Sequence, residues 1–123
     1  MASKLKTILV ETFSAPGVDS YVIKVPHGSI VLREGGSYPG IDLSGANLSG
    51  LNLGRVNLEG AKLMNANLSG TNLKDANLSG AILTGADLSN AHLDNASLNG
   101  AVIDGVTFVI PPTGINPAKL SRG

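Results

Sequence analysis

Between Ile41 and Ile110 the chain repeats itself every five residues, and that period excludes most of what a chain of this size can fold into. Leucine holds the centre of twelve consecutive fives, from Leu43 to Leu98, and Ile103 and Phe108 continue the series. Two places before each centre stands a small or apolar residue, most often alanine. On a helix of about 3.6 residues per turn, a period of five scatters the leucines around the whole circumference. On a single strand an odd period sends them alternately to both faces. Neither arrangement buries the leucine row, so the period marks a stacked repeat.

An arrangement that does bury it turns a corner every five residues and closes a square coil every twenty. The centre of each five then points inward, as does the residue two before it, and the other three positions face water or form the corner. Residues twenty apart become neighbours, at about the 4.8 Å spacing of paired strands. Leu43, Leu63, Leu83 and Ile103 form one inner column, Leu48, Leu68, Leu88 and Phe108 the next, and the remaining leucines two more. Burying a line of side chains in this way avoids the surface penalty that a small sphere would suffer.

Fives such as Ala46-Asn47-Leu48, Ala66-Asn67-Leu68 and Ala86-Asp87-Leu88 follow the consensus A(D/N)LXX, and residues 41–110 resemble the pentapeptide-repeat proteins. The resemblance implies an all-β chain built on a right-handed quadrilateral β-helix. It says little about function, because members of that family do unrelated things, and fold and function need separate arguments.

The chain's 123 residues suit one domain with short attachments. Formal net charge is zero, which gives no reason to expect nucleic acid or an anionic membrane as a direct partner. Cysteine is absent, which excludes disulfides and thiolate metal sites. The opening residues hold no apolar run of signal-peptide length and no stretch long enough to span a membrane, so the expected place of action is the cytoplasm or a virion.

Residues 1–40 lie outside the repeat. Lys6–Phe13, Tyr21–Val25 and Ile30–Leu32 read as strands, separated by turns at Ser14–Asp19 and Pro26–Ser29. Gly36–Gly40 reads as a degenerate first five with Tyr38 at its centre. The end of a β-solenoid exposes core and unpaired backbone, so this segment is expected to cap it. The same strands have a second possible use, docking another chain through Tyr21, Ile23 and Val25. Ile41, Leu51 and Val56 fill inner positions of the first coil that alanine mostly fills later, which implies a wider or more covered mouth. At the far end Val106 and Phe108 are expected to plug the last half coil. Pro111 and Pro112 lack N–H donors and stop strand pairing. Residues 111–123 read as an extended C-terminal tail, with Pro111 and Pro112 open to a partner.

No catalytic constellation stands out. His27 falls in a turn and His92 at an outward position, and two isolated imidazoles do not make a metal site. Asp42, Asp75, Asp87, Asp94 and Asp104 recur in register with the corners, where a carboxylate supports a turn. The glycines follow the same beat and show no phosphate-cradling spacing. A leucine-filled tube is also expected to leave no cavity for a small molecule. The chain is therefore expected to be no enzyme, with no catalytic, cofactor-binding or metal-binding residue.

One outward column differs from the rest. Asp42, Lys62, Ile82 and Val102 become apolar down the coil, and Met64 sits beside them. Such a stripe marks a contact, either with a partner or with the chain's own termini folded back. Two functions from different classes follow. The first is a structural or assembly protein that binds a shell, tail or other assembly subunit, as a virion decoration or cement protein does, whether as a homo-oligomer or within a larger assembly. The second comes from the resemblance: some pentapeptide-repeat proteins mimic DNA and inhibit or protect DNA gyrase. Those are longer, strongly acidic and dimeric through a C-terminal element. Here residues 41–110 carry six acids against three bases, a net of minus three. That is a poor copy of a phosphate backbone with a charge about every 1.7 Å.

Overall fold

The computed structural model describes residues 4–5, 9–15, 18–26 and 28–107, with side chains from Ser20 onward. His27, Phe108, Pro111, Pro112 and the expected 111–123 tail lie outside the described residues. All described elements are extended or turn structure, without a helix.

From Ser37 onward each outward residue pairs in parallel with the residue twenty positions later. The series runs from Ser37↔Asn57 through Lys62↔Ile82 to Asp87↔Thr107. The backbone bonds follow one rule. The central leucine's N–H donates to the carbonyl nineteen residues on, as from Leu63 to Ile82 at 2.8 Å, and the corner N–H does likewise, as from Gly45 to Met64 at 2.8 Å. The next residue donates back across the corner, as from Ala46 N–H to the Leu43 carbonyl at 3.0 Å. Four such corners in twenty residues make a four-sided coil.

Each corner holds a backbone conformation that most residues avoid. Every fifth residue from Gly35 to Gly105 has positive φ; most are glycine, but Arg55, Asn65, Asp75, Asn90 and Asn95 adopt it too, at 59–62°. With the preceding residue at negative φ, this is the signature of a type II turn. The Asn or Asp just before each central leucine supports the corner that follows. Asn67 Oδ1 accepts from the N–H and hydroxyl of Ser69, at 3.0 and 2.7 Å, and Asp87 Oδ1 does the same for Ser89. Asp87, like Asp42 with Ser44 N–H, thus serves a turn, as an Asx side chain does elsewhere.

The core is the stacked leucine row. Leu43 through Leu93 are at most 1% exposed, and alanines such as Ala61, Ala81 and Ala101 fill the narrower positions between them. Thr71 is a buried polar exception at one alanine position, and its hydroxyl donates to the Leu48 carbonyl at 2.8 Å.

Ahead of the coil, β1 (Lys4–Leu5), β2 (Leu9–Ala15), β3 (Val18–Val25) and β4 (Gly28–Arg33) form an antiparallel sheet in that order. The strands run further into the first turn than expected. Ser14 pairs with Asp19 and Ala15 with Val18, which leaves only Pro16 and Gly17 between them. Strand β4 then feeds the coil directly: Gly36 N–H closes a corner on Arg33, and Gly35 N–H joins the ladder at Gly54. Gly36–Gly40 forms a full side, with Tyr38 N–H bonded to Asn57. A Cβ on Gly36 would collide with the end of the Tyr38 ring, so a side chain there would displace the tyrosine.

Candidate interaction face

The sheet is fastened to the coil by its alternating inner face. Tyr21, Ile23 and Leu32 are buried in the same cluster as the leucine row, with Val25, Ile30, Tyr38 and Ile41 packed at its edge. The Tyr21 hydroxyl accepts from Asn52 N–H at 3.1 Å. In later coils the equivalent donor, Asn72 N–H, finds the Leu51 carbonyl one coil back. By the same rule the acceptor for Asn52 would be residue 31, but that residue belongs to β4 and pairs with Val22. The phenol therefore stands in for a missing rung. Beside it Glu34 bridges Arg55 at 3.1 Å and accepts from the Asn52 amide, a largely exposed contact worth little by itself.

This geometry sorts the residues expected to meet a partner. Tyr21 is 8% exposed and Ile23 fully buried, so both serve the chain's own core and neither is presented for docking. Strand alternation explains it, because 21, 23 and 25 share the face that covers the coil. Val25 is half-buried and lines a groove. Pro111 and Pro112 lie outside the described residues.

The apolar column is assembled as a continuous ladder. Asp42 pairs with Lys62, Lys62 with Ile82, and Ile82 with Val102, all on one side of the coil. Ile82 and Val102 are partly buried, and Met64, two residues beyond Lys62, is 39% exposed. Elsewhere the outward columns are polar: Asn47, Asn67, Asp87 and Thr107 on the next side, then Asn52, Asn72 and His92, then Ser37, Asn57, Asn77 and Ser97.

At its N-terminal end the column meets a feature that sequence reasoning missed. Val25, Pro26, Ser29 and Ile30 of the β3–β4 hairpin, with Asp42 and Ser44 of the coil, line a groove of about 350 Å³. The expectation of no cavity concerned the leucine-filled tube; this groove lies at its junction with the sheet, where a hairpin meets a flat coil side. No periodic signal in the sequence could have located it, because it depends on how the sheet docks. A second missed feature is Val31, 52% exposed and paired with Val22 on the outer face of the sheet.

The charges do not form an acidic stripe. No two acids of the coil stack in consecutive turns; Arg55 precedes Asp75 in one column and Lys74 precedes Asp94 in another. Among the described residues no group of three His, Asp or Glu is placed to hold a metal ion, and no helix is long and apolar enough to cross a membrane.

The model of the family described as pentapeptide repeats matches residues 41–80 and 71–108 with eight copies, over half of the chain. The chain belongs to the pentapeptide repeat family. Among solved structures it is similar to the pentapeptide repeat protein Rfr23 from the cyanobacterium Cyanothece 51142, at 34% identity over 58% of this chain and 59% of that one, with a TM-score of 0.46. It is also similar to a pentapeptide repeat protein of the Arabidopsis thaliana thylakoid lumen, at 32% identity over 66% of this chain and 61% of that one, again with a TM-score of 0.46. QnrB1, a plasmid-mediated fluoroquinolone resistance protein, matches at 20% identity over 71% of this chain and 44% of that one, with a TM-score of 0.37. The chain thus covers about 60% of the length of the first two structures. A search of curated proteins finds no sequence match.

Proposed function

We propose that this pentapeptide repeat protein is a rigid, non-enzymatic module that binds other proteins through the side carrying Asp42, Lys62, Ile82 and Val102. The observation that carries the reading is the apolar ladder Ile82–Val102 beside the exposed Met64, on a coil whose other sides are polar. Contiguous apolar surface that the fold does not need is retained at contact sites. In this reading the coil is right-handed and quadrilateral, the N-terminal sheet is its cap and residues 111–123 are an extended tail. The partner is a protein, whether a further copy or a shell, tail or other assembly subunit. The setting is the cytoplasm or a virion, where a decoration or cement role suits a short, stiff spacer.

A DNA-mimicking regulator of gyrase ranks second. A mimic needs like charges at regular steps along the axis. Here acids alternate with bases or neutral residues down each column, and Asp87 is occupied in holding a corner. Affinity capture of the full chain from source lysate, with mass identification, separates the two. Recovery of an assembly subunit supports the proposal. Recovery of gyrase subunits overturns it in favour of the mimic.

A further inference from the structure

Where a serine follows the Asx residue by two places, its hydroxyl finds a partner at every corner but one. Ser49, Ser69 and Ser89 donate to Asn47, Asn67 and Asp87 at 2.7, 2.7 and 2.6 Å, and the Ser79 hydroxyl pairs with that of Ser97 at 2.8 Å. Ser44 is the exception. Its N–H reaches Asp42 Oδ1 at 3.1 Å, but its hydroxyl oxygen is buried without a partner. An unpaired buried polar atom is costly, and a native fold that keeps one calls for an explanation. Ser44 is also one of the residues that line the groove, opposite Val25, Pro26 and Ile30. A second group on the same side is unanswered. Lys62, one level below Asp42, is exposed, and among the described residues it makes no ion pair. Asp42 already has partners within the chain, so Lys62 is the charge of this column that is open to a partner.

We infer that this side binds an extended segment of a partner protein in which an acidic residue stands between two apolar ones, spaced apolar-x-acidic-x-apolar. The inference rests on the protein-binding reading and names the chemistry of the partner. Successive levels of the coil are about 4.8 Å apart, so Lys62, Ile82 and Val102 lie about 5, 10 and 14 Å below Asp42 at the groove. Side chains on one face of an extended segment recur about every 6.7 Å. With one apolar side chain seated in the groove, the acid two residues on lies within reach of the Lys62 ammonium. The second apolar residue, about 13 Å along, then lies over Ile82 and Val102. A carbonyl of the segment beside the groove supplies the acceptor that the Ser44 hydroxyl lacks, after rotation about the Cα–Cβ bond. The spacing reads the same in both directions, so the segment fits with either end toward the sheet.

Charge selects this segment over others. A basic one sets like charge against Lys62, and a wholly apolar one covers the ammonium without an acceptor; both lose affinity. A surface dense in anionic groups meets Asp42 and the exposed Asp104 as well as Lys62, so the match is to a single carboxylate. The remaining three sides of the coil present polar columns and no apolar ladder.

The test is selection from a random heptapeptide library on the immobilised full chain, followed by fluorescence anisotropy with the enriched peptides. The enriched sequences should share the apolar-x-acidic-x-apolar spacing. Lys62→Glu should weaken such a peptide by about tenfold, and replacing the peptide's acid by lysine should restore binding to that variant. A change in the coil alone cannot be reversed from the peptide side, so the exchange is diagnostic. Ser44→Ala should weaken binding by about fivefold while leaving the urea midpoint unchanged or slightly raised, because the hydroxyl it removes bonds nothing in the free chain. Circular dichroism confirms that the variants remain folded. A library that yields no enriched peptide, a shared sequence without the acid, or peptides indifferent to Lys62→Glu overturn the inference. Acid-free peptides that are lost on Ile82→Ser with Val102→Ser overturn it and leave the broader reading intact. Peptides indifferent to all of these substitutions overturn both.

Discussion

Removing one oxygen atom, by Tyr21→Phe, tests how the N-terminal sheet is held on the coil. The ring stays buried, since phenylalanine fills the same space, and only the acceptor for Asn52 N–H is lost. That donor is partly buried beneath the sheet, and no ladder carbonyl replaces the phenol, because residue 31 is engaged in β4. An ordinary hydrogen bond contributes about 1 kcal/mol net, and leaving a buried donor unpaired raises the cost to about 1–3 kcal/mol. We expect a loss of about 1.5 kcal/mol in urea unfolding at an unchanged m-value. The Asn52 amide should also exchange faster with deuterated solvent. Tyr38→Phe is the control. Its hydroxyl accepts from Arg33 N–H at 3.0 Å, but in an exposed setting where water can replace it, so its cost should be about 0.5 kcal/mol or less. Equal losses in the two variants, or an Asn52 amide that stays protected in Tyr21→Phe, would refute this account of the junction.

Three further predictions probe the coil, each read by urea unfolding. Leu73→Ala empties a fully buried position in the middle of a leucine column and should cost about 3–4 kcal/mol; a loss below about 1 kcal/mol would mean that the column is not close-packed. Gly60→Ala meets no atom within 4 Å, so its cost of about 1 kcal/mol should come from positive φ alone, whereas Asn65→Gly at an equivalent corner should be neutral or slightly stabilising. Asn67→Ala removes both bonds to Ser69 and should cost about 1 kcal/mol, against no measurable change for Lys74→Ala on the exposed surface.

Much of the coil could be read from residue order, because its contacts are periodic. Once Leu43 and Leu63 are assigned to one column, the ladder Asp42–Lys62–Ile82–Val102 follows without coordinates, and the structure pairs these residues as expected. Tyr38 at the centre of the first side was legible for the same reason. The junction was not. Whether Tyr21 faces a partner or the core depends on which face of a hairpin lies on the coil, and periodicity carries no information about that. The alternation of Tyr21, Ile23 and Val25 with Ser20, Val22 and Lys24 was the available signal. It identifies an inner face, and the structure turns that face onto the chain's own leucines. The groove over Asp42 is likewise a product of docking between two elements. The corners were only partly legible: glycine announces positive φ, whereas Arg55 and Asp75 adopt it because their neighbours in the coil impose it.

The central claim is that one side of the coil makes the contact, and comparing that side with the opposite one tests it most directly. Ile82→Ser with Val102→Ser alters the apolar side; Lys74→Ala with His92→Ala alters the side across the tube, where both residues are exposed. Binding of each double variant would be measured against the wild type, using the partner that the wild type captures or the wild-type chain itself. The account predicts that the first variant loses binding while keeping its fold, and that the second binds as the wild type does. Equal binding by both variants, or loss only in the second, would contradict it.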